Sequence, residues 1–217
     1  MKKTLITSLI ALTATISANA ISFGFTQITS NGPEDVSAQL SADVQDVNGT
    51  QVSFKFSNTG PIASTIGEIY FDHSGLLASL DSVLGNSAGV DFSDFSPNPS
   101  NLPGGNSVSP TFTSDFGAEA APGNGNGIDP GEWVTFGLTL TNGVSFADLI
   151  TGLNSGSVRL GMHVRAIGQQ GASEGYINNP NDPGPGPGPD PVPDSGTTLA
   201  LLGAALLGVI GFRRFKK

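Results

Sequence analysis

Cysteine is absent from the 217 residues. Disulfides, thiolate metal sites and a cysteine nucleophile are therefore excluded. Charge is scarce, at 12% of residues, and positive charge is scarcer: 9 Lys and Arg stand against 18 Asp and Glu, for a net charge of -9. Six of those cations lie at the ends, as Lys2, Lys3, Arg213, Arg214, Lys216 and Lys217. Between them only Lys55, Arg159 and Arg165 oppose all the acids. A phosphate-binding face needs a surplus of Lys and Arg, so nucleic acid is excluded as a partner. Trp occurs once and Tyr and His twice each, which supplies a multi-subsite glycan groove poorly. No Gly-x-Ser-x-Gly elbow occurs, and no Gly-rich loop is followed by Gly-Lys-Ser/Thr, so neither a nucleophile elbow nor a phosphate loop is encoded.

What is abundant is Gly (30) and Pro (15), a composition of turns and short strands. The two ends differ from the middle. Lys2 and Lys3 precede an apolar stretch from Leu5 to Ile16, and Ala18-Asn19-Ala20 supplies small residues where a signal peptidase reads. Residues 1–20 are thus expected to be a secretory signal helix cut after Ala20, with Ala18 and Ala20 as the cleavage determinants. Residues 179–191 carry the run Pro183-Gly184-Pro185-Gly186-Pro187-Gly188-Pro189, a spacer in which neither helix nor sheet forms because each Pro removes a donor and fixes φ. Residues 197–212 have no charge. As a helix they span about 24 Å, slightly short of a hydrocarbon core of ~30 Å, and the basic tail can snorkel to make up the difference. Arg213, Arg214, Lys216 and Lys217 mark the cytoplasmic side of a single-pass transmembrane helix.

Val192-Pro193-Asp194-Ser195-Gly196, followed by that apolar helix and the Arg213-Arg214 tail, resembles the VPDSG variant of the PEP-CTERM sorting signals. The resemblance covers residues 192–217. It implies transient membrane anchoring, recognition by an exosortase-like processing enzyme, and delivery to the cell surface or an exopolysaccharide matrix. Phe54-Lys55-Phe56-Ser57-Asn58-Thr59-Gly60, Asn101-Leu102-Pro103-Gly104-Gly105 and Leu160-Gly161-Met162-His163-Val164 are similar to stretches of exported bacterial surface proteins that bear such tails. That second likeness implies one exported domain and adds no catalytic residue.

Residues 21–178 are long enough for one core. Leu40, Ala42 and Val44 alternate with polar residues, Asn48-Gly49 supplies a turn, and Val52, Phe54 and Phe56 alternate again; this predicts a hairpin. Further strands are expected at Ser22–Ile28, Thr65–Phe71, Trp133–Leu140 and Val158–Ala166, the last with Val158, Leu160, Met162, Val164 and Ala166 inward and Arg159, His163 and Arg165 outward. Weaker signals lie at Val90–Phe92 and Thr111–Thr113. The series predicts a mainly β domain, an antiparallel β-sandwich with one or two short helices. Ser145, with Asp148 three positions on, caps a helix whose face is Phe146, Leu149, Ile150 and Leu153, ended by Gly156. Leu76, Leu80 and Leu84 predict a second helix over Gly75–Leu84.

Chemistry is sparse. Asp72, His73 and Ser74 are hydrolase residue types, but sequence neighbours rarely face one another. Asp91 with Asp94, or Asp129 with Glu132, have the composition of a glycosidase pair, whose separation spacing alone does not give. Asn124, Asn126, Asp129 and Glu132 place oxygens as a calcium loop does. They depart from the twelve-residue EF-hand pattern, and Asx-turn chemistry accounts for the same residues. No catalytic residue and no cofactor is therefore expected, calcium being the one metal the sequence raises. The expected function is that of an exported structural or binding protein of the cell surface or matrix, contacting the membrane, the processing enzyme and exopolysaccharide. The alternative is a secreted polysaccharide-active enzyme or carbohydrate-binding module using surface carboxylates.

Overall fold

The computed structural model describes residues 20–97, 99–122 and 125–179. The signal segment before Ala20, the linker after Asn179, the VPDSG motif, the apolar stretch 197–212 and the basic tail lie outside the described residues, as do Ala18 and Asn124; Asn179, expected in the linker, ends the last strand. No helix among the described residues is long and apolar enough to cross a membrane.

The described chain forms ten strands: β1 Ile21–Gln27, β2 Leu40–Asp46, β3 Gln51–Asn58, β4 Thr65–Asp72, β5 Leu77–Asn86, β6 Asp94–Ser96, β7 Phe116–Glu119, β8 Glu132–Leu140, β9 Arg159–Ile167 and β10 Ala172–Asn179. One helix, α1 Phe146–Ser155, lies between β8 and β9. All ten strands join one antiparallel sheet in the order β5-β8-β3-β2-β1-β10-β9-β4-β7-β6. The mainly β, antiparallel expectation holds. The strands form one continuous sheet, where the sandwich expectation called for two hydrogen-bonded apart.

This sheet curls until its two halves face each other. β3 and β4 are five places apart, about 24 Å in a flat sheet, yet Phe54 and Phe71 meet edge to face with ring centroids 5.4 Å apart. β8 and β6 are eight places apart, and Phe136 and Phe95 lie 6.0 Å apart. The enclosed core takes the inward residues Val52, Phe54 and Phe56 of β3, Ile66, Ile69 and Phe71 of β4, Val134, Phe136 and Leu138 of β8 and Leu160, Met162 and Val164 of β9. One end is closed by α1, whose Leu149 and Leu153 are fully buried. Its Ser145–Asp148 pair forms the reciprocal capping box, and Gly156 ends it at φ 75°. The opposite end is tied by Glu174, a fully buried carboxylate that accepts hydrogen bonds from the backbone of Asn31 and Gly32 and from the Thr29 hydroxyl.

Several expectations are corrected. Gly75–Leu84 is not helical and largely forms β5. Residues 77, 80, 83 and 86 face 140, 138, 136 and 134 of β8, with a register shift at each step. A bulge at every step stretches the inward period from two residues to three, and of the four-residue repeat Leu76, Leu80 and Leu84 only Leu80 belongs to that row. Leu77 is buried while Leu84 is 56% exposed. Ala166 points outward at φ 54°, and Ile167 takes the inward place. Val90–Phe92 and Thr111–Thr113 are loops that bury Val90, Phe92 and Phe112. β6, β7 and β10 were not anticipated as strands.

The outer face of β10, β9, β4 and β7 carries a second, smaller core. The segment from Pro99 to Phe112 lies across it, with Leu102 and Phe112 packed against Tyr70. Glycines make room for the segment. A Cβ on Gly175 would stand 2.0 Å from the Pro103 carbonyl oxygen, and one on Gly161 would stand 2.9 Å from Leu102.

Removing the ring at the meeting of the two sheet halves tests this packing. Phe71→Ala is expected to cost about 3–5 kcal/mol. Leu84→Ala, at the exposed edge, stays within about 0.5 kcal/mol of wild type. Urea denaturation of the Ile21–Asn179 domain measures both.

Candidate functional site

The irregular side of the sheet gathers polar side chains on its outer face. Along one row across the strands, His163 of β9 pairs with Glu68 of β4, Glu68 with Glu119 of β7, and Glu119 with Asp94 of β6. Three carboxylates thus occupy neighbouring strands in register, an arrangement that costs stability through like-charge repulsion. Three backbone irregularities lie at the same level: the register shift between Ile66 and Glu68, that between Ala172 and Glu174, and the positive φ of Ala166. Gly67 occupies the bulge in β4, and Arg165 lies over it, with a guanidinium nitrogen 2.0 Å from where a Cβ would stand.

His163 links two partners. Its Nε2 is 2.6 Å from Ser173 Oγ. Its Nδ1 is 3.1 Å from Glu68 Oε2, at an angle outside a well-aligned hydrogen bond. The Tyr70 hydroxyl donates to the same Glu68 oxygen. Glu68 is therefore held below its ordinary value, chiefly by the His163 ring, with burial opposing and Tyr70 and Arg165 adding to the effect. Tyr70 moves the other way, pushed up by burial and by the carboxylate beside it.

Two cavities open beside this row. One of about 250 Å³ is lined by Glu68, Tyr70, Asp94, Ser100 and Glu119. The other, of about 340 Å³, shares Asp94 and Glu119 and adds Ala120–Pro122 and Arg165. Together they make a cleft of fixed hydrogen-bond acceptors with one guanidinium at its rim. Such a cleft accepts hydroxyl groups and repels anions. Ser173, His163 and Glu68 follow the order of a serine hydrolase, and Ser173 lines neither of these two cavities.

The residues singled out in the sequence are distributed differently. Asp72, His73 and Ser74 face three ways: Asp72 accepts from Arg159 and from the Thr113 backbone, His73 stacks on Phe116 with its Nε2 3.8 Å from Asp115, and Ser74 donates to the Ser157 carbonyl. Arg159, expected beside His163, instead joins Asp72 to the carbonyls of Pro110 and Thr111. Asp94 enters the cleft, while Asp91 borders a different groove. In the calcium-type loop, Asn126 donates to the carbonyls of Ala121 and Pro122, Asp129 accepts from Thr65, and Glu132 accepts from the Asp129 backbone. The Asn126 and Glu132 bonds stabilise the turn and the Thr65 bond ties it to β4, and among the described residues no group of three His or acidic side chains is placed to hold a metal. Sequence reasoning missed Glu68, Tyr70, Glu119, Ser100 and Ser173. The alternation of Thr65–Phe71 does place Glu68 and Tyr70 on one face once Gly67 is recognised as a bulge.

The depressed Glu68 carboxyl makes stability depend on pH with a definite sign. A carboxylate whose folded value lies below its unfolded value stabilises fully above the unfolded range and loses that contribution as pH falls through the folded value. Wild type should therefore exceed Glu68→Gln in stability at neutral pH, and the gap should shrink below about pH 4.5, the ordinary glutamate value, and close at lower pH. Denaturant midpoints of the two proteins at neutral and acid pH check this; a gap independent of pH contradicts it.

Comparison with known proteins adds a finding about the end of the chain. The family model described as the VPDSG-CTERM motif matches residues 191–215. No curated protein and no solved structure matches the chain. The match covers the motif, the apolar stretch and the first basic residues together, in the order that the resemblance required. Residues 191–215 are a VPDSG-CTERM motif, a PEP-CTERM-like sorting tail, and they mark this chain as an exported protein.

Proposed function

We propose that the protein is a cell-surface or extracellular-matrix component that works by binding, and that its ligand is an uncharged, hydroxyl-rich exopolysaccharide held in the cleft of Glu68, Asp94 and Glu119. The observation that carries the reading is the sorting tail joined to this domain. Residues 1–20 start export. Residues 197–212 hold the chain in the membrane with Arg213, Arg214, Lys216 and Lys217 on the inner side, and an exosortase-like enzyme processes it at Val192–Gly196.

Binding rather than catalysis is supported by the chemistry of the cleft. Glycoside hydrolysis needs one carboxyl with a raised pKa as general acid. Glu68 is shifted the opposite way. Neither cavity of the cleft is lined by Ser173. Carboxylate acceptors on rigid strands suit hydroxyl donors, and the charge of the row disfavours anionic chains.

Two experiments test this. In the native host, Asp194→Ala should leave membrane insertion intact, because Asp194 precedes the apolar stretch, yet full-length protein should accumulate in the membrane fraction. Identical fractionation of wild type and variant by immunoblot contradicts recognition of the motif. On a glycan array, the Ile21–Asn179 domain should retain neutral glycans and release them at unchanged length, and Asp94→Asn with Glu119→Gln should reduce retention at least several-fold. Shortened glycans would establish the polysaccharide-active enzyme instead.

A further inference from the structure

The topology places the cleft relative to the membrane, an inference that rests on the anchored, surface-displayed reading above. β1 begins at Ile21 and β10 ends at Asn179, and the two strands are antiparallel neighbours, with Gly24 opposite Asn179. Ile21 in turn faces Val44, near the end of β2. Both ends of the domain therefore lie at one pole of the curled sheet. The same pole holds the Asp46–Gln51 turn, the turn after β4, the Thr141–Gly143 turn and α1, because β8 ends and β9 begins there.

The other pole lies about 26 Å away, the length of an eight-residue strand. It carries the ends of β1, β3, β7 and β9 and the starts of β4, β6 and β10. Glu119 is the last residue of β7 and Asp94 the first of β6, so the larger cavity, with Ala120–Pro122 and Arg165, opens at this far rim. A separate groove of about 420 Å³ lies near the α1 pole, lined by Ser155, Gly156, Arg159, Ile177 and Asn178, and none of the cleft's carboxylates lines it.

We infer that the domain stands on its α1 pole, tethered through Asn179, and turns the rim formed by Asp94, Glu119, Ala120–Pro122 and Arg165 away from the membrane, where it meets the matrix glycan. The tether favours this polarity because the chain leaves the domain at the α1 pole. A glycan arriving from outside meets the open rim first, and the processing enzyme, acting at residues 192–196, works on the opposite side. Ligand binding and tail cleavage thus do not compete for space.

The absence of cysteine allows a direct test. Asn142→Cys labels the near pole and Gln170→Cys the far pole; both positions are exposed turns. Each variant of the chain from Ile21 to Lys217 is labelled with a donor dye and reconstituted into phosphatidylcholine vesicles holding an acceptor lipid. Energy transfer to the bilayer is expected to be higher from position 142 than from 170, and to vanish from both when residues 197–217 are deleted. Equal transfer from both sites, or higher transfer from 170, overturns the orientation while leaving anchoring intact. No transfer from either full chain overturns anchoring, and the orientation falls with it.

Discussion

Phe54 and Phe71 touch, although four strands separate theirs in the sheet. That contact requires the sheet to fold over on itself, and most of the architecture follows from it. A chain with few large aromatics other than Phe, and no disulfides, gains its stability from apolar area removed from water. A flat sheet of ten strands would leave one apolar face wet. Curling brings Phe54, Phe56, Phe71 and Phe136 into one interior, and α1 closes the end that the strands leave open. The curvature is built by bulges: three along β5, one in β4 and one in β9. Each bulge adds a residue on one strand and sharpens the local twist.

The same irregularities create the candidate site. Where β4, β9 and β10 are regular, their outer faces carry Gly161 and Gly175, and the segment from Pro99 to Phe112 packs directly on them. Where the bulges interrupt them, side chains of Glu68, His163 and Ser173 are brought together. The cleft beside them persists because the overlying segment stops at Pro99 and Ser100, which form one of its walls. Architecture and binding chemistry therefore share a cause, and a change that regularised β4 at Gly67 would alter both.

Legibility in the sequence followed the range of the interaction. The β2–β3 hairpin was readable because alternation and Asn48-Gly49 are local, and α1 because Ser145 and Asp148 are three residues apart. The tail was readable for the same reason, as a linear motif at 191–215. β5 was misread because Leu76, Leu80 and Leu84 repeat every four residues, although Leu76 precedes the strand and Leu84 is exposed on it. β10 was missed because Ala172–Asn179 buries Glu174 and Tyr176 around a glycine and carries little apolar pattern. The cleft was illegible for a further reason: Glu68, Asp94 and Glu119 become neighbours only when β4, β7 and β6 pair, and no spacing along the chain announces that pairing.

The account depends on β1 and β10, the first and last strands, holding the middle of the sheet. Native-state hydrogen exchange measures this directly, since amides in the globally stable unit exchange only through complete unfolding. The amides of Phe23, Phe25, Tyr176 and Ile177 are predicted to exchange as slowly as those of Phe54 and Phe56 in β3. Rapid exchange of β1 and β10 with β3 still protected would show that the terminal strands fray independently, and would contradict a continuous sheet joined at its middle by β1 and β10.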